Sequence, residues 1–234
     1  MNTRTSGEGS LLGSQGEKKM YRRHVVVVEN ESLLRDLIAQ TLEAHNFQVT
    51  TAANVADAKR ACSAVDPDAV VVDIELGPGP NGFDFADYMQ RNAADVGIVF
   101  LTNIPDPRFV GKDRKVVPNN AAYLRKSQLV NSTELVDALD AVLRDRASVK
   151  YRHDLDSTRP LASLSKKQLG VLSLVSQGLS NSQIADMRGT TIRAVEGMVS
   201  RVFEALAIST SADGNARVEA ARTFLKATGN IAGE

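Results

Sequence analysis

The sequence predicts an α/β fold, a doubly wound five-stranded parallel sheet, followed by a small all-α domain, on three observations. Short β-branched runs alternate with amphipathic stretches from His24 to about Arg146. From Leu164 onward the apolar period is helical throughout. Asp73, Thr102 and Lys126 each close an apolar run, which brings a carboxylate, a hydroxyl and an ammonium to one edge of a sheet. Alternating strands and helices imply right-handed crossovers and a parallel sheet covered on both faces. In such sheets ligands bind at the carboxyl ends of the strands.

The elements follow in order. Residues 1–22 are rich in Gly, Ser, Glu and Lys without periodicity and predict a flexible tail. Val25 to Val28 is a first strand ending in the polar pair Glu29-Asn30, and Leu33, Leu34, Leu37, Ile38 and Leu42 then repeat with helical period. Phe47 to Thr51 predicts a second strand, Ala56 to Val65 a second helix, and Ala69 to Asp73 the third strand. Gly82 to Gln90 is the third helix, Gly97 to Thr102 the fourth strand and Ala121 to Leu124 the fifth. Leu135, Val136, Leu139, Val142 and Leu143 mark the last helix of this domain, residues 23–147. Pro105, Pro107 and Pro118 interrupt the stretch before the fifth strand, so any helix there is short.

Residues 148–160 are polar and aperiodic and predict an interdomain linker. In the second domain, residues 161–229, Ser165-Lys-Lys-Gln168 and Ser180-Asn-Ser-Gln183 are capping boxes that open two helices, the first ended by Gly178. Gly189-Thr-Thr191 is a turn, and Ile192, Val195, Val199, Val202, Phe203 and Leu206 form one stripe of a longer helix. Asn215 caps a fourth helix with Val218, Ala221 and Leu225 on one face, and residues 230–234 are a tail. A short helix, a Gly-containing turn and a longer helix make the helix-turn-helix pattern.

Composition narrows the function classes. The formal charge is zero, but residues 23–150 carry 14 Lys/Arg against 18 Asp/Glu, whereas residues 161–229 carry 8 against 5. An acidic front and a basic rear imply different partners, and the basic one suits phosphates. One cysteine, Cys62, excludes an intrachain disulfide and reads as a small buried hydrophobe. No stretch has the length of a membrane span and no signal-peptide pattern opens the chain, so a cytoplasmic protein without a membrane partner is expected.

Residues 24–146 resemble a two-component receiver domain, a flavodoxin-like fold. The resemblance rests on Glu29-Asn30 after the first strand, Asp73 after the third, Thr102 after the fourth and Lys126 after the fifth, with Tyr123 at the place of a switch aromatic. It implies that Asp73 accepts a phosphoryl group from a sensor histidine kinase, that Thr102 hydrogen-bonds that group, and that Lys126 pairs with one of its oxygens. It also implies Mg²⁺ held by Glu29, Asn30, Asp73 and the backbone carbonyl of Glu75, since a hard cation with oxygen ligands suits phosphoryl transfer. Asn30 stands where the family usually has a carboxylate and weakens the expected site. The loop Ile74 to Gly82, with two prolines, looks one residue longer than usual.

Residues 161–228 resemble a LuxR-type helix-turn-helix output domain, through Leu164-Ser165, Val171-Leu172, Gly178-Leu-Ser-Asn181, Ile184-Ala185, Val195 and Leu206-Ala-Ile208. The resemblance implies binding to double-stranded DNA as a homodimer. Glu196, Gly197 and Ser200 are then the base-reading positions, Arg193 and Arg201 the flanking charge, and Lys166, Lys167, Asn181, Ser182 and Thr191 candidates for backbone contacts. Glu196 replaces a common basic residue there, and Met198 a common histidine.

The expected function is a DNA-binding transcriptional response regulator, not an enzyme. Two alternatives stay open: a receiver that acts independently of phosphorylation, and a protein-binding switch whose rear domain resembles sigma-factor region four. A haloacid-dehalogenase-like phosphatase is disfavoured, because its Asp-x-Asp motif would follow the first strand.

Overall fold

The structure, a computed structural model, describes residues 22–144, 149–209 and 215–229. Of the predicted tails, residues 1–22 and 230–234, all but residue 22 lie outside the described residues. Five strands, β1 (His24–Val28), β2 (Gln48–Ala52), β3 (Ala69–Val72), β4 (Gly97–Thr102) and β5 (Ala122–Arg125), form one parallel sheet in the order β2-β1-β3-β4-β5. Helices α1 (Ser32–Ala44), α2 (Val55–Val65), α3 (Gly82–Asn92) and α4 (Ser132–Val142) connect or follow the strands.

The strand sequences explain the double winding. Successive side chains alternate between faces, and β1, β3 and β4 are apolar on both. Val26, Val28, Val70, Val72, Ile98 and Phe100 pack with α2 and α3, and Tyr123 joins them. Val25, Val27, Val71, Val99, Leu101 and Leu124 pack with α1 and α4. Side-chain caps fix three of the helix starts: Asn54 accepts from Asp57 N–H, Asn131 from Glu134 N–H, and Asn81 makes a capping box with Asp84. In α1 only Ile38 and Leu42 of the apolar repeat are buried, while Leu33 and Leu37 are exposed.

Between β4 and β5 the prolines leave two 3-10 turns, Pro107–Val110 and Arg114–Val116. The polar stretch expected as a linker is packed against the sheet edge. Arg152 bridges Tyr123 of β5 in parallel, two further 3-10 turns span Val149–Tyr151 and His153–Leu155, and Tyr151, Asp154 and Arg159 are buried. Polar residues survive burial there because they pair: Arg152 makes two 2.8 Å bonds to Asp154.

The described residues of the rear domain form helices α5 (Lys166–Ser176), α6 (Asn181–Arg188), α7 (Ile192–Ala205) and α8 (Ala216–Thr228). Both predicted capping boxes, Ser165 with Gln168 and Ser180 with Gln183, are formed. Gly189 adopts φ +59°, the left-handed cap that lets the chain turn from α6 into α7. Val195, Val199 and Val202 of α7 are buried, whereas Ile192, expected in that stripe, is exposed. On α8 the buried residues are Ala220, Phe224 and Ala227; the face with Val218 is turned outward. No described helix is long and apolar enough to cross a membrane.

Candidate functional site

Three of the predicted residues meet at the carboxyl edge of the sheet. Glu29 directly follows β1 and Asp73 directly follows β3, and these strands are neighbours in register through Val28 and Val72. Both carboxylates are buried, at 1% and 5% exposure. Lys126, the first residue after β5, extends across the edge, and its ammonium lies 2.7 Å from Asp73 Oδ2 and 2.7 Å from Glu29 Oε2. The remaining oxygens accept backbone hydrogens: Asp73 Oδ1 from Glu75 N–H at 3.2 Å, and Glu29 Oε1 from Glu31 N–H at 3.1 Å.

Titration reflects this crowding. Burial raises the Glu29 carboxyl above its usual value, and the bonds from Lys126 and Glu31 only partly offset that. Burial pulls the Lys126 ammonium down, but the charge of Asp73 and the bonds to both carboxylates outweigh it, so its pKa is raised. Glu75 is raised by burial and by the neighbouring charge of Asp73, which places a third carboxylate within electrostatic reach.

Thr102 ends β4, fully buried, and its hydroxyl accepts from Ile104 N–H at 3.3 Å. Tyr123 is also fully buried and donates to the carbonyl of the same Ile104 at 2.9 Å. The two residues are therefore joined through one backbone unit. No described hydrogen bond links Thr102 to Asp73.

Asn30 is exposed beside the Gly77 turn. Arg35 donates to the carbonyls of Glu29 and Asn30, at 2.8 and 3.4 Å, and so orders this corner. Among the described residues no group of three or more His, Cys, Asp or Glu converges on a metal position. Two carboxylates with neutral oxygen donors beside them suit a hard cation, though more weakly than three carboxylates.

Sequence reasoning missed Gly82. A Cβ there would press into the carbonyl oxygen of Asp73 and stand 2.9 Å from Ile74 Cα, so only glycine lets α3 start this close to Asp73. The signal was present as the residue after the Asn81 cap.

In the rear domain Arg193, Glu196, Gly197, Ser200 and Arg201 fall at helical spacing on the side of α7 opposite its buried valines. All but the half-buried Gly197 are exposed. The other candidates are engaged to different degrees. Thr191 caps α7 by accepting from Ala194 N–H, Asn181 accepts from Arg217 at 3.0 Å, and Lys166 pairs with Asp113 at 3.3 Å. Lys167 and Ser182 are exposed.

Residues 25–139 match the sequence model of the response regulator receiver domain. The chain is similar to the transcriptional regulatory protein LiaR of Bacillus subtilis (strain 168), 24% identical over 201 residues that cover 79% of this chain and 91% of that protein. It is also similar to the probable transcriptional regulator ycf29 of Porphyra purpurea, 27% identical over 188 residues, 77% of this chain and 88% of that one. Among solved structures, RcsB from Salmonella enterica serovar Typhimurium, bound to promoter P1flhDC in the presence of phosphomimetic BeF3−, has a TM-score of 0.53 at 15% identity. That match covers 90% of this chain and 100% of the other, a likeness of fold across both domains.

Proposed function

This chain belongs to the response regulators, with a receiver domain in front and a LuxR-type helix-turn-helix behind, and we propose that phosphoryl transfer to Asp73 switches its hold on double-stranded DNA. The observation that carries the reading is Lys126 held 2.7 Å from both Asp73 and Glu29 at the sheet's carboxyl edge. An Asp73 oxygen attacks phosphorus, the bond from phosphorus to the kinase histidine nitrogen breaks, and a carboxyl phosphate forms. Lys126 supplies positive charge to the incoming oxygens, and Thr102 supplies a hydroxyl donor once it leaves Ile104. Mg²⁺, when bound, neutralises phosphoryl charge; Glu29, Asp73, the Asn30 amide and the Glu75 carbonyl are the oxygens that would hold it.

The rear domain would read DNA through the outer face of α7, with Glu196, Gly197 and Ser200 toward bases and Arg193 and Arg201 toward phosphates. One unit of this size covers a half-site, so a two-fold dimer is proposed, with the outward face of α8 around Val218 as the contact. The cytoplasm is the proposed location.

The reading is tested by titrating duplex DNA across a salt series with and without a small phosphoryl donor and Mg²⁺, with sedimentation under the same conditions. Salt-dependent binding that tightens with the donor, together with dimer formation, is expected. A folded chain that binds no duplex in either state contradicts it.

A further inference from the structure

Arg217, in the first turn of α8, reaches back to the corner where α5 gives way to α6. Its guanidinium donates from Nη1 to Asn181 Oδ1 at 3.0 Å and from Nη2 to the carbonyl of Leu179. Ser180, between these two partners, caps α6 by accepting from Gln183 N–H. Arg217 and Asn181 are both half-buried, whereas Ser182 beside them is exposed. The pair is 36 positions apart in the chain, so the bond exists only through the packing of the rear domain.

The chemistry of the two groups fixes which way the amide points. A guanidinium only donates, whereas an asparagine amide has one accepting end and one donating end. Reversing the Asn181 amide would set its NH2 against the Arg217 N–H groups and lose the bond. Oδ1 therefore stays turned toward Arg217 and Nδ2 away from it, and no described residue accepts from Nδ2. The second bond, to the Leu179 carbonyl, keeps the guanidinium itself from swinging. Arginine suits this place better than lysine, because its planar fork presents two donors in a fixed geometry.

A phosphate oxygen of duplex DNA accepts hydrogen bonds and donates none. An unrestrained amide would present its own oxygen to that phosphate part of the time, and the contact would be repulsive. We infer that Arg217 is a positioning residue for DNA binding: it holds Asn181 so that Nδ2 donates to a backbone phosphate, and does not touch the DNA itself. The inference rests on the proposed function, in which α7 enters the groove and α6, the first helix of the helix-turn-helix, crosses the backbone. It sets Arg217 apart from Arg193 and Arg201, whose charges face phosphates directly. Asn181 and Arg217 then act as one unit, and the contact is lost when either is removed.

Binding of the whole chain to a mixed-sequence duplex over a salt series, with a small phosphoryl donor and Mg²⁺ present, tests this. Arg217→Met and Asn181→Ala should each weaken binding about tenfold, the size of one lost hydrogen bond to a charged group. The double variant should bind no more weakly than either single one, and the salt slope should stay at the wild-type value. Should Arg217→Met not fold, Arg217→Lys takes its place in the cycle, since lysine lacks the planar fork. A salt slope lower by about one in Arg217→Met overturns the inference, because Arg217 would then meet phosphate directly. Additive losses overturn it too, since Arg217 would then only brace the corner, as does unchanged affinity in either folded single variant. Each of these results, with the wild type binding duplex, leaves the proposed function standing. A wild-type chain that binds no duplex contradicts both.

Discussion

Lys126 and Asp73 stand 2.7 Å apart although they are separated by two crossover connections, and the same ammonium holds Glu29. The pairing is a property of the sheet order: β3 and β1 are neighbours, and Lys126 reaches them from the edge strand β5.

Replacing Lys126 by Met should leave two buried carboxylates facing each other without a cation. Removing one partner from a buried ion pair costs about 3–5 kcal/mol. Urea denaturation should show that loss, and Glu29→Gln in the same chain should restore part of it. Additive losses in the double variant would mean that Lys126 and Glu29 are not coupled.

The pH profile of stability should carry two opposite signatures. The Glu29 carboxyl is raised above 4.5, chiefly by burial, so its contribution is full below that value and is lost as pH rises from 4.5 through the folded pKa. Burial also pushes Asp106 upward, but bonds from Arg108 and Arg159 bring it below 3.8; its stabilisation is present above 3.8 and lost as pH falls through the folded pKa. Glu29→Gln should flatten the profile above 4.5, and Asp106→Asn the acid limb below 3.8. Denaturation midpoints measured across this range decide it; identical profiles for wild type and both variants would refute the assignment.

Gly82→Ala should harm both fold and chemistry, because the added methyl meets Asp73 and Ile74 backbone atoms rather than a movable side chain. A loss of about 1–3 kcal/mol is expected, and the displaced Asp73 should accept phosphate more slowly. Unchanged labelling at full stability would show that α3 shifts freely.

On α7, Arg201→Ala should weaken binding to every duplex and lower the salt slope by about one, as for a phosphate contact. Glu196→Ala should change the preferred base pair instead. Competition binding with a randomised duplex distinguishes them; a Glu196→Ala protein that binds all sequences more tightly would show that Glu196 only opposes phosphates.

Much of this site was legible because strands end abruptly in sequence. Val25 to Val28 before Glu29, and Ala69 to Val72 before Asp73, leave no ambiguity about which residue sits at the edge. Capping boxes at Ser165 and Ser180 were equally local and equally visible. Periodicity gave a face but not what covers it, so Leu33, Leu37 and Ile192 were expected inside and are exposed. Burial of charged side chains was not legible at all. Asp106, Arg125, Asp154 and Arg159 look like solvated residues in sequence, and only contacts across as many as 102 positions bury them.

The central claim is that Asp73 is the phosphoacceptor. Intact-mass measurement after incubation with a small-molecule phosphoryl donor and Mg²⁺ tests it most directly. One phosphoryl adduct on the wild-type chain, absent from folded Asp73→Asn, is the predicted result. An adduct that persists in Asp73→Asn, or a wild-type chain that takes none, would contradict it.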